Sequence, residues 1–326
     1  MLTQEQKDQR RGLLTSSLWA AALGLDPNKT PLQAKREVLG QGEEFQGNAA
    51  TYRGNKLERV VLQEPADQLG LVFVPAPFRK HANGWSGDSC DALYYKAPYV
   101  EGLDAPELVG EGKTAGMGVA DKYGAAGTDN IPVTAWVQSH CHLIHWPEAK
   151  RCVVPVLIGG WSFEFKLYFV ERDEQLEGEM YDKLAKFHRD YIVANVDPPA
   201  QSGDLEWMHK AYTTATDERL MRATPEIDVL AAEYKAARTS SEEWEERYKN
   251  ARAKLEQLIG GHSGVEGRFG KISFKCNAAS QKIDWEVLAT RLMKNLSEAE
   301  RSHLLTAATK TIPGPRVFRP YWKKEK

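Results

Sequence analysis

Gly87-Asp88-Ser89-Cys90-Asp91-Ala92-Leu93, followed by Glu107-Leu108-Val109-Gly110-Glu111-Gly112-Lys113-Thr114, is the stretch on which the reading of this chain turns. Both segments read as short strands, and on a strand residues i and i+2 share a face. Glu111 and Lys113 therefore point the same way, and Gly112 between them leaves its carbonyl unscreened by a side chain. If the strand holding Asp91 pairs beside this one, two carboxylates and a lysine meet at one sheet edge. Two carboxylates with a backbone carbonyl form a hard oxygen site of the kind Mg²⁺ takes, waters completing the octahedron. Such an ion stabilises charge on a phosphate and lowers the pKa of a bound water. Lys113 would orient that water or offset phosphate charge. The plain alternative is a surface Glu–Lys pair across a pleat, worth a few tenths of a kcal/mol.

Upstream, residues 15–25 read as a helix ending near Gly24, and Thr30-Pro31 supplies an N-cap with proline at the first helical position for a second helix to Leu39. A third helix is expected over 54–62 and a strand over Leu71-Val72-Phe73-Val74. Residues 85–95 and 107–113 are strand-like. Downstream, 131–146 is helical, 152–158 and 161–171 form a hairpin around Gly159-Gly160, and 173–194 is a long amphipathic helix. This order predicts an α/β (α+β) fold, a mixed central sheet flanked by helices.

Asp197-Pro198-Pro199-Ala200-Gln201-Ser202-Gly203-Asp204 breaks regular structure. The expected division is a core over 1–197, a linker over 198–206 and a helical C-terminal arm over 207–326. In the arm a 4-3 spacing runs through Leu230, Tyr234, Ala237, Ser241, Trp244, Tyr248, Ala251, Leu255 and Leu258. It predicts one long helix, laid on a neighbouring surface or self-associating as a coiled coil. A short strand over 271–276, a helix over 285–293 and a basic tail complete the arm. The tail, 310–326, carries six Lys/Arg against one Glu, with Phe318, Tyr321 and Trp322 among them. Cations interleaved with aromatics suit a nucleic-acid contact.

Lys+Arg 43 against Asp+Glu 45 leaves a net charge of −2, so no global positive field marks the chain for nucleic acid and any DNA contact comes from local patches. No run approaches the ~18 apolar residues of a membrane span, and no membrane partner is expected. Met1-Leu2-Thr3-Gln4-Glu5-Gln6-Lys7-Asp8 carries acid and no apolar core, unlike a signal peptide. The four cysteines, Cys90, Cys141, Cys152 and Cys276, form no CxxC pair. They read as free thiols, and no iron–sulfur cluster is expected.

The order of the motifs carries more than any one of them. Gly54-Asn55-Lys56-Leu57-Glu58 on a helix is followed by Asp91, then Glu111-Gly112-Lys113, then Ile131-Pro132 and a helix carrying Gln138. This set resembles the YqaJ-like viral recombinase family, the family of phage lambda exonuclease, within the PD-(D/E)xK nucleases. Arg10-Arg11-Gly12-Leu13-Leu14-Thr15-Ser16-Ser17 is similar to that family's opening, and Leu23-Gly24-Leu25-Asp26-Pro27 follows it. Val156-Leu157-Ile158-Gly159-Gly160 and Tyr168-Phe169-Val170-Glu171-Arg172-Asp173 resemble its closing hairpin and the start of its last helix. Gly314-Pro315-Arg316-Val317-Phe318 is a looser echo. Departures are Cys90 for the usual Pro, Ala92 for Gly, Gly112 for a larger apolar residue, Gln138-Ser139-His140-Cys141-His142 for Q-x-Q-H-Q, and a longer loop between Asp91 and Glu111.

The resemblance implies a restriction-endonuclease-like fold and a Mg²⁺-dependent exonuclease, with Mn²⁺ as the substitute ion. It implies digestion of linear double-stranded DNA from 5′ to 3′, leaving 3′ single strands for phage-type homologous recombination. It further implies a single-strand annealing protein as partner, a ring-shaped homotrimer, and work in the cytoplasm of a bacterial host, with a phage or prophage origin. By the same resemblance Asp91 and Glu111 are the main metal ligands with the Gly112 carbonyl, and Glu58 helps hold a second metal. Lys113 positions the nucleophilic water, Gln138 supports the site, and Arg10, Ser17 and Ser89 contact the 5′ phosphate.

Other readings compete for single features. His140, Cys141, His142 and His145 suggest zinc, but on a helix His140 and His142 diverge by about 200°. A complete zinc site is not expected, and Gln138, His142 and His145 are expected to share the face towards the groove. Residues 15–40 also read as a helix-turn-helix, which would make the chain a non-catalytic DNA binder. Its second helix opens Pro31-Leu32-Gln33-Ala34-Lys35, poor in base-reading side chains. A scaffold built on the heptad helix is the remaining class; it would need 204–326 and not the acids.

Overall fold

Val153-Val154-Pro155-Val156-Leu157-Ile158 is apolar at every position, the pattern of a strand covered on both faces, and it forms the middle of the central sheet. The computed structural model describes residues 8–42, 47–160, 163–212, 219–268, 270–276, 284–294 and 296–309; the basic tail and Trp161 lie outside the described residues. The chain divides into two units, Met1–Ala211 and Tyr212–Lys326.

The first unit contains strands β1 (Leu14–Thr15), β2 (Leu71–Pro75), β3 (Arg79–Lys80), β4 (Ser86–Asp88), β5 (Ala92–Lys96), β6 (Leu108–Gly110), β7 (Lys113–Gly116), β8 (Arg151–Gly159) and β9 (Phe163–Glu171). Its helices are α1 (Ser16–Ala22), α2 (Pro31–Val38), α3 (Ala49–Leu69), α4 (Val133–His145), α5 (Glu174–Phe187) and α6 (Leu205–Ala211). The main sheet is mixed. β5 lies antiparallel between β2 and β6, while β6 and β7 run in succession along β8, both parallel to it. β9 pairs antiparallel with β8. A small separate sheet joins β1 in parallel to β4, with β3 antiparallel on its other side.

Helices cover both faces of the main sheet, as expected. α3 brings Leu62 and Ala66 onto Ala92, Tyr94, Leu108 and Val153. On the opposite face α4 packs Ala135 and Leu143 with Leu93, Val109, Val154 and Val156. The far side of α4, with Val137 and Cys141, packs on α1, α2 and α5 around Trp19, Ala34 and Leu184.

Several expected boundaries move, each for a local reason. The strand expected over 85–95 is two strands in two sheets: the chain leaves β4 after Asp88 and rejoins a ladder at Asp91, whose amide donates to the Gly110 carbonyl at 2.9 Å. The strand expected over 107–113 is broken at Glu111-Gly112, where the Gly112 amide turns to the Asp91 carboxylate instead of a backbone carbonyl. α3 is longer than expected because the Asn48 side chain caps its start and Gly70, at φ 67°, ends it. α5 ends at Phe187 and the chain continues as a wider π-type turn over His188–Val193.

The stretch expected as a linker is folded onto the first unit. The Thr30 hydroxyl donates to Asp204 Oδ1 at 2.5 Å and the Gln33 side chain to the Gly203 carbonyl at 3.1 Å. Lys35 pairs with Asp197 at 2.6 Å. These contacts also count against the helix-turn-helix reading, because α1 is buried around Trp19 and Gln33, Lys35 and Arg36 of α2 are tied to 197–204 rather than presented for a DNA groove.

The second unit contains α7 (Pro225–Ile259), the hairpin of β10 (Gly264–Gly267) and β11 (Gly270–Ser273), α8 (Trp285–Met293) and α9 (Glu298–Ala308). The expected long helix is α7, and its heptad residues Trp244, Tyr248 and Leu258 are exposed. α9 has no counterpart in the sequence reading, although Ser297 and Glu300 form a capping box at its start.

Candidate active site

The β5–β6 register pairs Ala92 with Gly110, so the next step sets Asp91 opposite Glu111 where both strands end. Asp91 Oδ2 accepts the Gly112 amide at 2.8 Å. Lys113 Nζ donates to Glu111 Oε1 at 2.5 Å and to Gln138 Oε1 at 3.1 Å. Asp91, Glu111, Gly112, Lys113 and Gln138 are thus in one place, supplied by the ends of β5, β6 and β7 and by α4. The i and i+2 relation of Glu111 and Lys113 survives the strand break.

One helical turn beyond Gln138, on the same face, His142 enters the same cluster. Its Nε2 lies 2.9 Å from Glu111 Oε2 and its Nδ1 lies 2.7 Å from Asp88 Oδ1. Asp88 Oδ2 accepts the Trp146 indole N–H at 3.1 Å. Asp88 and His142 are both fully buried, at 0% exposure, and Glu111 at 5%. The sequence reading did not single out Asp88 or Trp146. Its available signal was the three histidines of α4, each needing a partner once buried. His140 meets Glu177 at 3.3 Å, and His145 meets Ser86 Oγ at 3.2 Å and the Cys141 carbonyl at 2.8 Å. The histidines diverge to three different partners, and among the described residues no group of three or more His, Cys, Asp and Glu is arranged to hold a metal ion.

Electrostatics sorts these groups into two kinds. Burial, reinforced by the adjacent Glu111, pushes the Asp91 carboxyl up to about 8. Burial also opposes the Glu111 charge, but Lys113 and His142 outweigh it and hold Glu111 below its ordinary value. Lys113 is opposed by burial yet held up by Glu111 and Asp91. His142 is opposed by burial and raised to about 10 by Asp88 and Glu111, while His142 in turn holds Asp88 low. Asp91 is therefore a half-buried acid whose charge the chain's own cations do not satisfy. A divalent cation held by Asp91 and Glu111 would supply what is missing, and Mg²⁺ needs only one or two carboxylates because it keeps several waters. The residues present fit such an ion.

The remaining expected residues are placed as follows. Glu58 is exposed on α3 and makes no hydrogen bond to Asp91, Glu111, Lys113 or Gln138 among the described residues. It shares a helical face with Gly54 and Leu62, which abut Thr114 and Gly112, so its turn crosses the strand that carries the site. A Cβ on Gly112 would stand 3.1 Å from Leu62 Cδ2, so a larger residue there would require that leucine to shift by a few tenths of an ångström. Ser17 lies in the first turn of α1, directly after β1, and Ser89 directly follows β4, the strand that pairs with β1. The Ser17 hydroxyl lies 3.3 Å from Thr15 Oγ1. Arg10 is half-buried on the segment leading into β1. All four cysteines are free, and burial pushes the thiols of Cys90, Cys141 and Cys152 up.

The YqaJ-like viral recombinase domain matches residues 5–140. No curated protein matches the chain. Among solved structures, the alkaline exonuclease LHK-Exo from Laribacter hongkongensis is 17% identical, with 60% of this chain and 94% of that one covered and a TM-score of 0.47. A phage-related exonuclease from Haemophilus somnus 129PT is 14% identical, with 58% of this chain and 97% of that one covered and a TM-score of 0.41. The matched stretch contains Arg10, Ser17, Glu58, Ser89, Asp91, Glu111, Gly112, Lys113 and Gln138, and over residues 5–140 this chain is similar to a YqaJ-like viral recombinase domain.

Proposed function

We propose that this chain hydrolyses phosphodiester bonds in linear double-stranded DNA as a divalent-cation-dependent exonuclease, with Mg²⁺ as its ion and Mn²⁺ as a substitute. It runs from 5′ to 3′ and leaves 3′ single strands for a single-strand annealing protein in phage-type recombination. The observation that carries this reading is the meeting of half-buried Asp91, Lys113 and Gln138 around buried Glu111.

Asp91, Glu111 and the Gly112 carbonyl would hold the ion, and Glu58 would serve a second one. When bound, the cation stabilises charge on the scissile phosphate and lowers the pKa of a water. Lys113 stands between Glu111 and Gln138 and keeps its proton, so it acts as a donor that orients the attacking water and offsets phosphate charge. Gln138 fixes the ammonium from α4. Arg10, Ser17 and Ser89 hold the 5′ phosphate. A ring-shaped homotrimer around the duplex, in a bacterial host's cytoplasm, is the assembly that suits this activity.

The test uses linear and covalently closed circular duplexes, labelled at either end, with Mg²⁺ or EDTA, and the wild type beside Glu111→Gln. Loss of the linear DNA alone, dependent on Mg²⁺, absent in the variant and releasing the 5′ label first, is the expected result. Cutting of the circle, or equal cutting by Glu111→Gln, would reject it.

A further inference from the structure

His142 sits between two carboxylates, with both ring nitrogens within hydrogen-bond distance of acidic oxygens. A carboxylate only accepts, so the ring donates to both, and the two bonds fix its plane. On the far side, Asp88 is itself held by the Trp146 indole N–H and faced by the buried Ser16 hydroxyl. Glu111 then has its two oxygens assigned to different neighbours, Oε2 to His142 and Oε1 to Lys113. Nothing in the chemistry of residues 111–113 requires this; Lys113 alone would neutralise Glu111. The ring is also a departure in the motif, since His142 stands where the resemblance has glutamine.

We propose that His142, braced by Asp88, is a positioning residue that fixes the carboxylate plane of Glu111, so that this carboxylate, opposite Asp91, is held ready for a divalent cation. This rests on the proposed function, because it needs Glu111 to be a metal ligand. A carboxylate that must search rotamers loses affinity for its ion, and substituting the groups that orient metal ligands costs about 10- to 100-fold in metal affinity. A purely structural role, pinning α4 to β4, would instead lower thermal stability and leave the affinity of the folded protein as it was.

The experiment titrates Mn²⁺ into the full chain, reading free Mn²⁺ by electron paramagnetic resonance, with thermal melts of the same samples. It compares the wild type with Glu111→Gln, His142→Ala, His142→Gln and Asp88→Asn. His142→Ala is expected to weaken Mn²⁺ binding about 10- to 100-fold, His142→Gln to recover part of that loss by restoring one donor, and Asp88→Asn to weaken binding while His142 remains. Wild-type affinity in both His142→Ala and Asp88→Asn would overturn the proposal while leaving the exonuclease reading intact. If His142→Ala does not melt cooperatively, Asp88→Asn decides alone, and unchanged affinity there overturns it. Equal Mn²⁺ binding by the wild type and Glu111→Gln would instead remove the metal site, and with it both this role and the proposed function.

Discussion

Asp91 is the residue at which the fold and the chemistry pull apart. Its half-buried carboxyl lies opposite Glu111 and is held near 8 by desolvation and that neighbouring charge, against about 3.9 in an unfolded chain. Folding therefore favours the protonated form. That contribution is fully present below about pH 4 and is lost as the pH rises through 8, because the unfolded chain releases a proton the folded one keeps. In EDTA, Asp91→Asn should melt at a higher temperature than the wild type, with a gap that widens from pH 5 to pH 8. Mg²⁺ should narrow the gap by restoring only the wild type. Thermal melts across that range check this, and a gap that stays constant with pH would mean Asp91 is not under this strain. If Asp91 is the metal ligand of the proposed function, such stabilisation is the familiar trade between activity and stability at an active site.

At the scale of elements, the helix that shapes the first unit's edge is α2, and one hydroxyl ties it down twice. Thr30 Oγ1 accepts from the Gln33 amide at 3.1 Å and donates to the buried Asp204. Losing an N-cap costs about 1 kcal/mol, and stranding a buried acceptor costs about 1–3 kcal/mol more. Thr30→Ala should destabilise the protein by about 2–4 kcal/mol on that basis, and Thr30→Ser should recover most of it, both read by denaturant unfolding. This helix was legible because Thr30-Pro31 is a local signal, and so was Glu111-x-Lys113, whose shared face needs only the period of a strand. The Asp88–His142 and Asp88–Trp146 contacts join residues 54 and 58 positions apart, a relation that no spacing or periodicity records. The strand breaks at 89–91 and 111–112 were illegible for a similar reason: they arise where the chain changes ladder, and the apolar pattern on either side runs on unbroken. The stretch at 197–204 has the composition of a linker, and only its partners on α2 make it part of the first unit.

Over the whole molecule, the candidate site and the core are drawn from the same unit. Asp88, Asp91, Glu111, Lys113, Gln138 and His142 lie within Met1–Ala211, as do the three apolar clusters that flank the sheet. The arm contributes a 35-residue helix with an exposed heptad stripe and, beyond the described residues, a tail with six cations against one acid. Under the proposed function this division would give the arm affinity or assembly and leave chemistry to the first unit. A chain ending after Ala211 should melt cooperatively and still cut linear duplex in Mg²⁺, with the Glu111→Gln version inert. Its DNA binding should weaken with a shallower dependence on salt, because each lost phosphate contact takes about 0.9 from the slope of log K against log salt. An unchanged slope would show that the arm does not touch the phosphates. A folded 1–211 fragment that cuts nothing, beside a full chain indifferent to Glu111→Gln, would transfer the function to the arm and restore the scaffold reading.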